Sequence, residues 1–552
     1  MLKQRFLIAG MKKALLILMI FTSYSLKSQV TFTDSISLIP GNFKSVIPVG
    51  VLDMNNDGFD DIIHFRDRYT FVLSYYNKGN DFDTINLGKM DSLNYGSYPW
   101  SICVGDYDND GDNDILFGGG TASLLLTNSS ENGNFISEYF PDTFFAQGSN
   151  FVDINNDGLL DIFICNDDSA NYVYKNSGDY FFKTNSLINT GNAAGNYASI
   201  WTDYDNDRDL DLYISKCYSY ADSASDPRRI NVLYQNDGNG IFTETAKTAG
   251  IDDSSQSWCA DFGDIDNDGD LDMYLINHKA PHKLFENLGS GTFKDFDNDG
   301  FVDLLIAGNR TFLYYNNGDK TFTLDSIFSS IKPIGPTFAV GDINNDGFLD
   351  IYLGKGFGSS EKSDKLYFSN SNSNNYVAFL LQGSPSNFNA IGARLFLYGN
   401  WGVQTREVRS GESYGVMHSF RQNFGLGQEQ SIDSLVIWWP SGLKQTIKDI
   451  EPNSFHKIVE GYDIVNLEKN TINKRLTIYP NPAEREIHLI IPSSKPPLTV
   501  TILDITGKII NSQNIDQSNN ISIDVRRLAA GTYLIKIEDQ KNSEYIGKFQ
   551  IK

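Results

Sequence analysis

Seven times between residues 50 and 354 the chain spells D-x-[DN]-x-D-[GR]-x-x-D. The copies begin at Asp53, Asp106, Asp153, Asp203, Asp264, Asp295 and Asp342, separated by 53, 47, 50, 61, 31 and 47 residues. Carboxylates at positions 1, 3, 5 and 9 of a tight loop can converge on one point, and glycine at position 6 permits the sharp turn. Hard oxygen donors in this number suit Ca²⁺, with the carbonyl of position 7 and water completing six or seven ligands; Mg²⁺ takes fewer protein ligands in stricter geometry. The candidate ligands are Asp53, Asn55, Asp57 and Asp61; Asp106, Asp108, Asp110 and Asp114; Asp153, Asn155, Asp157 and Asp161; Asp203, Asp205, Asp207 and Asp211; Asp264, Asp266, Asp268 and Asp272; Asp295, Asp297, Asp299 and Asp303; and Asp342, Asn344, Asp346 and Asp350. Acidic turn residues are ordinarily solvated or capping groups, but seven copies with one internal spacing argue against that here. Up to seven Ca²⁺ sites are expected, with the fourth weakened because Arg208 stands where the others have glycine. Seven divalent ions would offset fourteen of the chain's 24 excess negative charges.

The loop starts like an EF-hand, which needs a bidentate glutamate at position 12. Position 12 here is His64, Phe117, Ile164, Ile214, Leu275, Ile306 and Leu353. Short apolar runs such as 115–117, 162–164 and 304–306, bounded by turn residues, read as buried strands, so each loop joins two strands. Before the loop comes a small-residue strand (258–263, 338–341). After it come a buried strand, an aromatic strand (232–234, 312–314), a turn, and an outer strand beginning at Phe242 or Phe322. Four strands per repeat and seven repeats at a period near 50 make a seven-bladed β-propeller. Thr292-Phe293-Lys294 runs directly into Asp295 and leaves no room for a separate inner strand. The sixth blade is therefore expected to be incomplete or to share a strand with its neighbour.

These repeats, with the string 233–242 (LYQNDGNGIF) between loops, resemble the FG-GAP/VCBS family, which implies Ca²⁺ in each such loop. The propeller is expected over 29–372, ending in the polar hinge 371–375. Alternating strands at 376–381, 393–398 and 434–439 then read as a small β-sandwich over 373–461. Its segments 390–394 (AIGAR), 406–411 (REVRSG), 424–427 (FGLG) and 439–442 (WPSG) resemble the ASPIC/UnbV domain. Propeller followed by this domain is the order of the cartilage acidic protein family, which implies no settled biochemical activity. Arg394, Arg406 and Arg409 suit either an anion or glycan contact or structural salt bridges.

A polar linker, 462–474, precedes a second small β-sandwich-like domain, 475–552. The sequence YPNPA at 479–483, strands at 487–491, 499–503 and 533–537, the turn 504–508 and the closing KFQIK resemble the type A sorting domain of the type IX secretion system of Bacteroidota. That resemblance implies passage through the type IX machinery to the medium or the outer cell surface. At the other end, Lys12 and Lys13 precede an apolar run, 14–21, and then Ser23 and Ser25, the order of a secretory signal peptide over 1–28. The run is too short to span a bilayer, and no transmembrane segment is expected.

The fold class is therefore all-β: one propeller and two small sandwiches. A net charge of −24 argues against nucleic acid as a partner. Cys103, Cys165, Cys217 and Cys259 lack C-x-x-C spacing and are either paired disulfides or buried thiols. His278 and His282 are four apart but flank Pro281, a poor frame for a two-histidine metal site. No catalytic motif appears in a suitable context. The leading expectation is a secreted or surface-bound, Ca²⁺-stabilised, non-catalytic binding or adhesion module for an extracellular protein or glycan. A surface enzyme acting on polysaccharide and a passive spacer are the alternatives.

Overall fold

The computed structural model describes residues 30–462, except 68, 78–80, 90–98, 121–122, 129–134, 141, 179, 279, 286–291, 307–310, 326–336, 355–362 and 413. In the tail it describes 477–479, 483, 485–490, 498–504, 509–515, 521–528, 531–538 and 544–551. The expected signal peptide and nearly all of the linker lie outside these residues. The described chain is all-β, with helix confined to the turns Ile36–Leu38 and Ala246–Ala249. Residues up to Val465 form one compact unit and Asn466–Lys552 a second.

In the first unit, Pro99–Gly105, Asp114–Gly119, Ser123–Asn128 and Phe135–Tyr139 make an antiparallel sheet in chain order. The sheets bearing loops 3, 4 and 6 are built alike. Each acidic loop, numbered 1 to 7 from Asp53 to Asp342, joins the first strand of its sheet to the second. Position 9 is in every case the first residue of that second strand. Strands Asp114–Gly119, Asp161–Asn166 and Asp211–Lys216 are buried along their whole length, the fate that their unbroken apolar runs dictate. The seventh sheet consists of Phe338–Gly341, Asp350–Leu353, Lys365–Asn370 and, at its outer edge, Thr31–Asp34 from the opposite end of the unit.

The expected defect is displaced by one sheet. Thr292–Lys294 does form an inner strand, pairing Thr292 with Leu305 and Lys294 with Asp303, and the sixth sheet has four strands. It is the fifth sheet (Ser257–Gly263, Asp272–Asn277 and Lys283–Phe285) that has only three among the described residues. Three residues suffice for an inner strand because only the end next to the loop must pair.

Residues 375–459 form a three-stranded sheet (Gln422–Gly427, Asn375–Gln382, Ser454–Val459) and a four-stranded one (Gly402–Glu407, Arg394–Gly399, Ser434–Trp438, Lys444–Ile447). They do not stand apart from the repeats. One apolar core runs from Phe117, Phe151 and Leu160 to Phe379, Ile391 and Leu395. The expected hinge is docked, with Asn372 and Asn374 both donating to the Asp297 carbonyl, at 2.7 and 2.8 Å.

The segment from Arg409 to Arg421 meets the inner strand of every sheet. Val416–Met417 pairs in parallel with Val49–Gly50, Ser410 Oγ accepts from Val104 N, and Asn150 donates to the Ser410 carbonyl. Arg409 reaches Thr202 and Asp261, Glu412 faces Lys294 electrostatically, and Ser419 N donates to the Val340 carbonyl.

The second unit has two sheets, Thr477–Tyr479, Glu486–Ile490, Ile521–Asp524 and Ile509–Ile515, Leu498–Asp504, Gly531–Glu538, Glu544–Ile551. It closes over its own core of Ile487, Leu489, Val500, Ile502, Ile535 and Ile537.

Candidate metal centres

One hydrogen-bond frame recurs in the loops because each aspartate position has a local backbone duty. The position-1 carboxylate accepts the amide of position 6: Gly58 to Asp53, Gly111 to Asp106 and Gly158 to Asp153 are each 2.8 Å, and loops 5, 6 and 7 repeat the bond. Position 5 accepts the amide of position 7 in all seven loops, for example Asp112 to Asp110 at 2.9 Å. Position 9 clamps the loop to its sheet. Asp303 Oδ2 takes Phe296 N and its Oδ1 takes Asn316 N, both at 2.8 Å, and Asp211 holds Tyr204 and Asn236 in the same way. An ionised carboxylate oxygen has lone pairs to spare after one such bond, so the frame preforms the cluster and leaves acceptor capacity at its centre.

The donor set fits a divalent cation. Asp106, Asp108 and Asp114, Asp203, Asp205 and Asp211, Asp264, Asp266 and Asp272, and Asp295, Asp297 and Asp299 each bring three carboxylate oxygens within 4.8 Å of one another. Asp203 Oδ1 and Asp266 Oδ1 are buried with no hydrogen-bond partner. Burial, reinforced by neighbouring carboxylates, pushes Asp106 up to about 7, Asp211 to about 8 and Asp114 to about 9, and Asp295 and Asp303 well above the usual range. Clusters that resist ionisation in this way are stabilised by a hard cation, which supplies the missing positive charge. In loops 3 and 7 the position-3 asparagine donates to position 5 (Asn155 to Asp157, 2.9 Å; Asn344 to Asp346, 3.2 Å) and offers its amide oxygen as a neutral donor.

Position 4, left open in the repeat pattern, is asparagine in all seven copies, and it is the functional residue that the motif reading missed. Each of these asparagines has a left-handed φ between 54° and 63°, which asparagine tolerates better than other non-glycine residues. Their side chains link consecutive loops. Asn56 donates to Gly111 O, Asn109 to Gly158 O, Asn206 to Asp270 Oδ1, Asn267 to Gly300 O, Asn298 to Gly347 O, and Asn345 in the last loop to Gly58 O in the first. Among the described residues Asn156 makes no such bond; its neighbour is loop 4, where Arg208 takes the glycine position at φ +85° and stacks 3.6 Å from the centre of the Trp438 ring.

The ASPIC-like strands close over this face, and their arginines are structural. Arg394 Nη1 bonds the Asp203 carboxylate at 3.1 Å and its Nη2 the Gly269 carbonyl at 3.1 Å, bridging loops 4 and 5. Arg406 is buried opposite Asp264 and Asp295 of loops 5 and 6. Arg409 pairs with Glu407 at 2.7 Å and Asp261 at 3.0 Å. Arg421, unremarked in the sequence, bridges loops 7 and 1 through Asp342 Oδ2 (3.4 Å) and Gly58 O (2.9 Å). Asn389 Oδ1 accepts Asp106 N at 2.6 Å, and Glu407 Oε1 accepts Asp203 N at 3.0 Å.

The remaining candidates separate. Cys103, Cys165, Cys217 and Cys259 are all buried thiols, in no disulfide. His278 lies on Trp258 and near Cys217 Sγ, whereas His282 Nδ1 accepts Asn277 N, so the two rings serve different partners. Among the described residues no helix is long and apolar enough to cross a membrane.

Residues 53–117, 153–214, 220–275 and 295–353 match the FG-GAP-like repeat, and these ranges contain all seven loops. Residues 383–464 match ASPIC and UnbV, and 477–552 match the Secretion system C-terminal sorting domain. The FG-GAP-like repeat and ASPIC and UnbV are not known catalytic families. Mouse cartilage acidic protein 1 is 24% identical over 282 residues, 44% of this chain and 43% of its own length. The human protein is 23% identical over 277 residues, 44% of this chain and 41% of its own. The chain thus spans less than half the length of these curated relatives.

Of the solved structures, the extracellular domain of the hybrid two-component system BT4673 from B. thetaiotaomicron has 11% identity and a TM-score of 0.35, covering 95% of this chain and 60% of that one. PorZ, a surface component of the type IX secretion system of Porphyromonas gingivalis, has 10% identity and a TM-score of 0.18, covering 93% and 100%. Neither likeness bears on function at these scores. The chain is a protein of FG-GAP-like repeats and an ASPIC and UnbV domain, ending in a secretion system C-terminal sorting domain and related at low identity to cartilage acidic protein 1.

Proposed function

We propose that this is a secreted or cell-surface protein whose seven sheets close into a Ca²⁺-stabilised seven-bladed propeller, acting as a non-catalytic binding or adhesion module. The propeller is a rigid platform, and ligand contacts fall on its exposed rim. Export runs through a signal peptide at 1–28 and the type IX machinery, which reads 475–552. The ligands to calcium are the residues at positions 1, 3, 5 and 9 of each loop. The observation that carries the reading is the repeated loop frame whose asparagines link one loop to the next, ending on the Asn345–Gly58 bond between last and first.

Calcium supplies the positive charge that lets three or four buried carboxylates share one turn. Each site that binds only the folded state contributes about 2.7 kcal/mol at a hundredfold excess over Kd. The test is metal analysis of the purified mature protein, with calorimetry before and after chelation. Several bound calcium ions are expected, up to seven, with a melting temperature that falls by more than about 10 °C on chelation as several sites empty. A metal-free protein with unchanged melting overturns the proposal.

A further inference from the structure

Four consecutive inner strands share a defect at the end remote from their acidic loops. In Pro99–Gly105 the register steps from Pro99–Gly119 to Ser101–Gly118, leaving Trp100 as an extra residue. The same step isolates Gln147, Tyr197 and Trp258 in the next three sheets. The inner strands of sheets 1, 6 and 7 pair with their neighbours without it. A β-bulge turns a side chain out of its alternating course, and bulges recur beside binding sites. Here the extra residues are three half-buried aromatic rings and one buried amide, Gln147, with no aliphatic side chain among them.

Trp100, Gln147 and Tyr197 gather around Tyr414 of the Arg409–Arg421 segment. Tyr414 lies 5.2 Å from Tyr197, ring centre to ring centre, with 19° between the planes, and 6.5 Å from Trp100. Its hydroxyl donates to Gln147 Oε1 at 3.0 Å, and Gln147 Nε2 donates to Asp167 at 3.1 Å. Trp258 stacks on His278 at 4.8 Å and 30°. The rings are half-buried and braced. Beside them runs the segment 217–231, in the repeat with the longest loop spacing. It presents Tyr220 at 81% exposure and is tied down by Tyr218 N and O to the side chain of Gln256. Gln256, which leads into the Trp258 strand, holds a left-handed φ of +68°, strain of the kind that collects at binding sites.

We infer that this aromatic mouth, at the end of the propeller opposite the acidic loops, binds a neutral polysaccharide by stacking pyranose rings on Trp100, Tyr197 and Trp258, with the buried Gln147 bracing Tyr414 beneath them. The inference rests on the binding-module reading and names its ligand class. Ring contacts with Tyr414, His278 and Phe145 hold the Tyr197, Trp258 and Trp100 rings in place, and a fixed flat ring suits the C–H face of a sugar; a cationic ligand needs rings converging on one centre. A lipid or an apolar protein surface would meet aliphatic side chains, and the bulges provide none.

The test is affinity electrophoresis of the mature calcium-loaded protein through gels containing laminarin, yeast mannan or arabinoxylan. At least one polymer is expected to retard the protein, and Trp258→Ala and Trp100→Ala are each expected to weaken retardation at least tenfold. Tyr197→Phe, which keeps the ring, should weaken it less, and Tyr180→Ala, an exposed ring at the loop-bearing end of the third sheet, should leave it unchanged. Variants are compared only where their calcium-dependent melting equals that of the parent, which separates failure of this site from failure of the calcium-bound ring. Retardation by none of the three polymers, or retardation that survives both tryptophan substitutions, overturns the inference.

Discussion

The junction between loops 7 and 1 and the junction between loops 3 and 4 occupy equivalent places in the repeat, yet they are held differently. At the first, Asn345 and Arg421 both donate to the Gly58 carbonyl, and Arg421 also reaches Asp342. Behind them His64 bonds Tyr352 at 2.7 Å and Ser74 at 2.8 Å, and Tyr352 donates to Asp364 at 2.9 Å, a buried polar chain joining the first and last sheets. At the second, Asn156 has no described partner in loop 4, Arg208 leans out onto Trp438, and Glu407 receives the Asp203 amide. The chain passes directly from loop 3 to loop 4, whereas loops 7 and 1 lie nearly 300 residues apart in sequence. Where the backbone provides no link, side chains of the last loop and of the ASPIC-like strands provide it.

That contrast is broken first at Arg421. Replacing it with alanine leaves the buried Asp342 carboxylate without its guanidinium, and losing one partner of a buried pair costs about 3 kcal/mol or more. Urea unfolding of Arg421→Ala in saturating calcium is expected to show that loss, with Arg394→Ala comparable at loops 4 and 5. A loss below about 1 kcal/mol in both would mean that the ASPIC-like strands do not hold the loops together.

The His64 chain is expected to give the same junction an acid weakness. Burial lowers the His64 pKa to about 3, against about 6.5 in an unfolded chain. A group whose folded pKa is depressed contributes fully above the unfolded value and loses that contribution as pH falls toward the folded one. Between pH 6.5 and pH 5 the loss is about 2 kcal/mol, at about 1.4 per pH unit. His418, lowered to about 4, adds to it in the parent protein. His64→Gln, which cannot titrate, should flatten the acid limb of the stability curve by His64's share; an unchanged slope would mean that the ring is not neutral in the folded state.

How much of this was legible depends on the range of the interaction. The carboxylate spacing is local, so the loops, the strand entering at position 9 and the absence of a helix follow from adjacent residues. The ASPIC-like sheets were visible as alternating strands, but not their docking: Arg394 meets Asp203, and Arg421 meets Gly58, across 191 and 363 residues. The position-4 asparagines were visible as a residue type, while their acceptor lies one repeat on. The inner strand at Thr292–Lys294 was missed because three residues fall below the length at which alternation shows, and the bulges because a one-residue step leaves no compositional trace.

The asparagine link itself can be weighed by comparing the two junctions. Glycine accepts a left-handed φ without strain, so Asn345→Gly removes little besides the bond to Gly58 and the bond that Asn345 Oδ1 accepts from Arg421. It should cost about 2 kcal/mol or more, the net worth of a neutral and a charge-assisted hydrogen bond plus the entropy of an added glycine. Asn156→Gly loses no link between loops and should fall within about 0.5 kcal/mol of the parent, a difference that paired thermal melts resolve. Equal effects at both sites would show that the position-4 asparagines serve only the turn.

The smallest expected effect is at Arg208, where two terms oppose. A non-glycine residue at φ +85° carries about 1 kcal/mol of strain, which Arg208→Gly releases. The same change removes the stacking of the guanidinium on Trp438, worth about 0.5 to 1 kcal/mol at an exposed site. The net should lie within about 1 kcal/mol of zero, whereas Trp438→Ala keeps the strain, loses the stack and destabilises. If Arg208→Gly instead stabilises by 2 kcal/mol or more, the stack contributes nothing, and the fourth loop has kept a strained residue that its own packing does not explain.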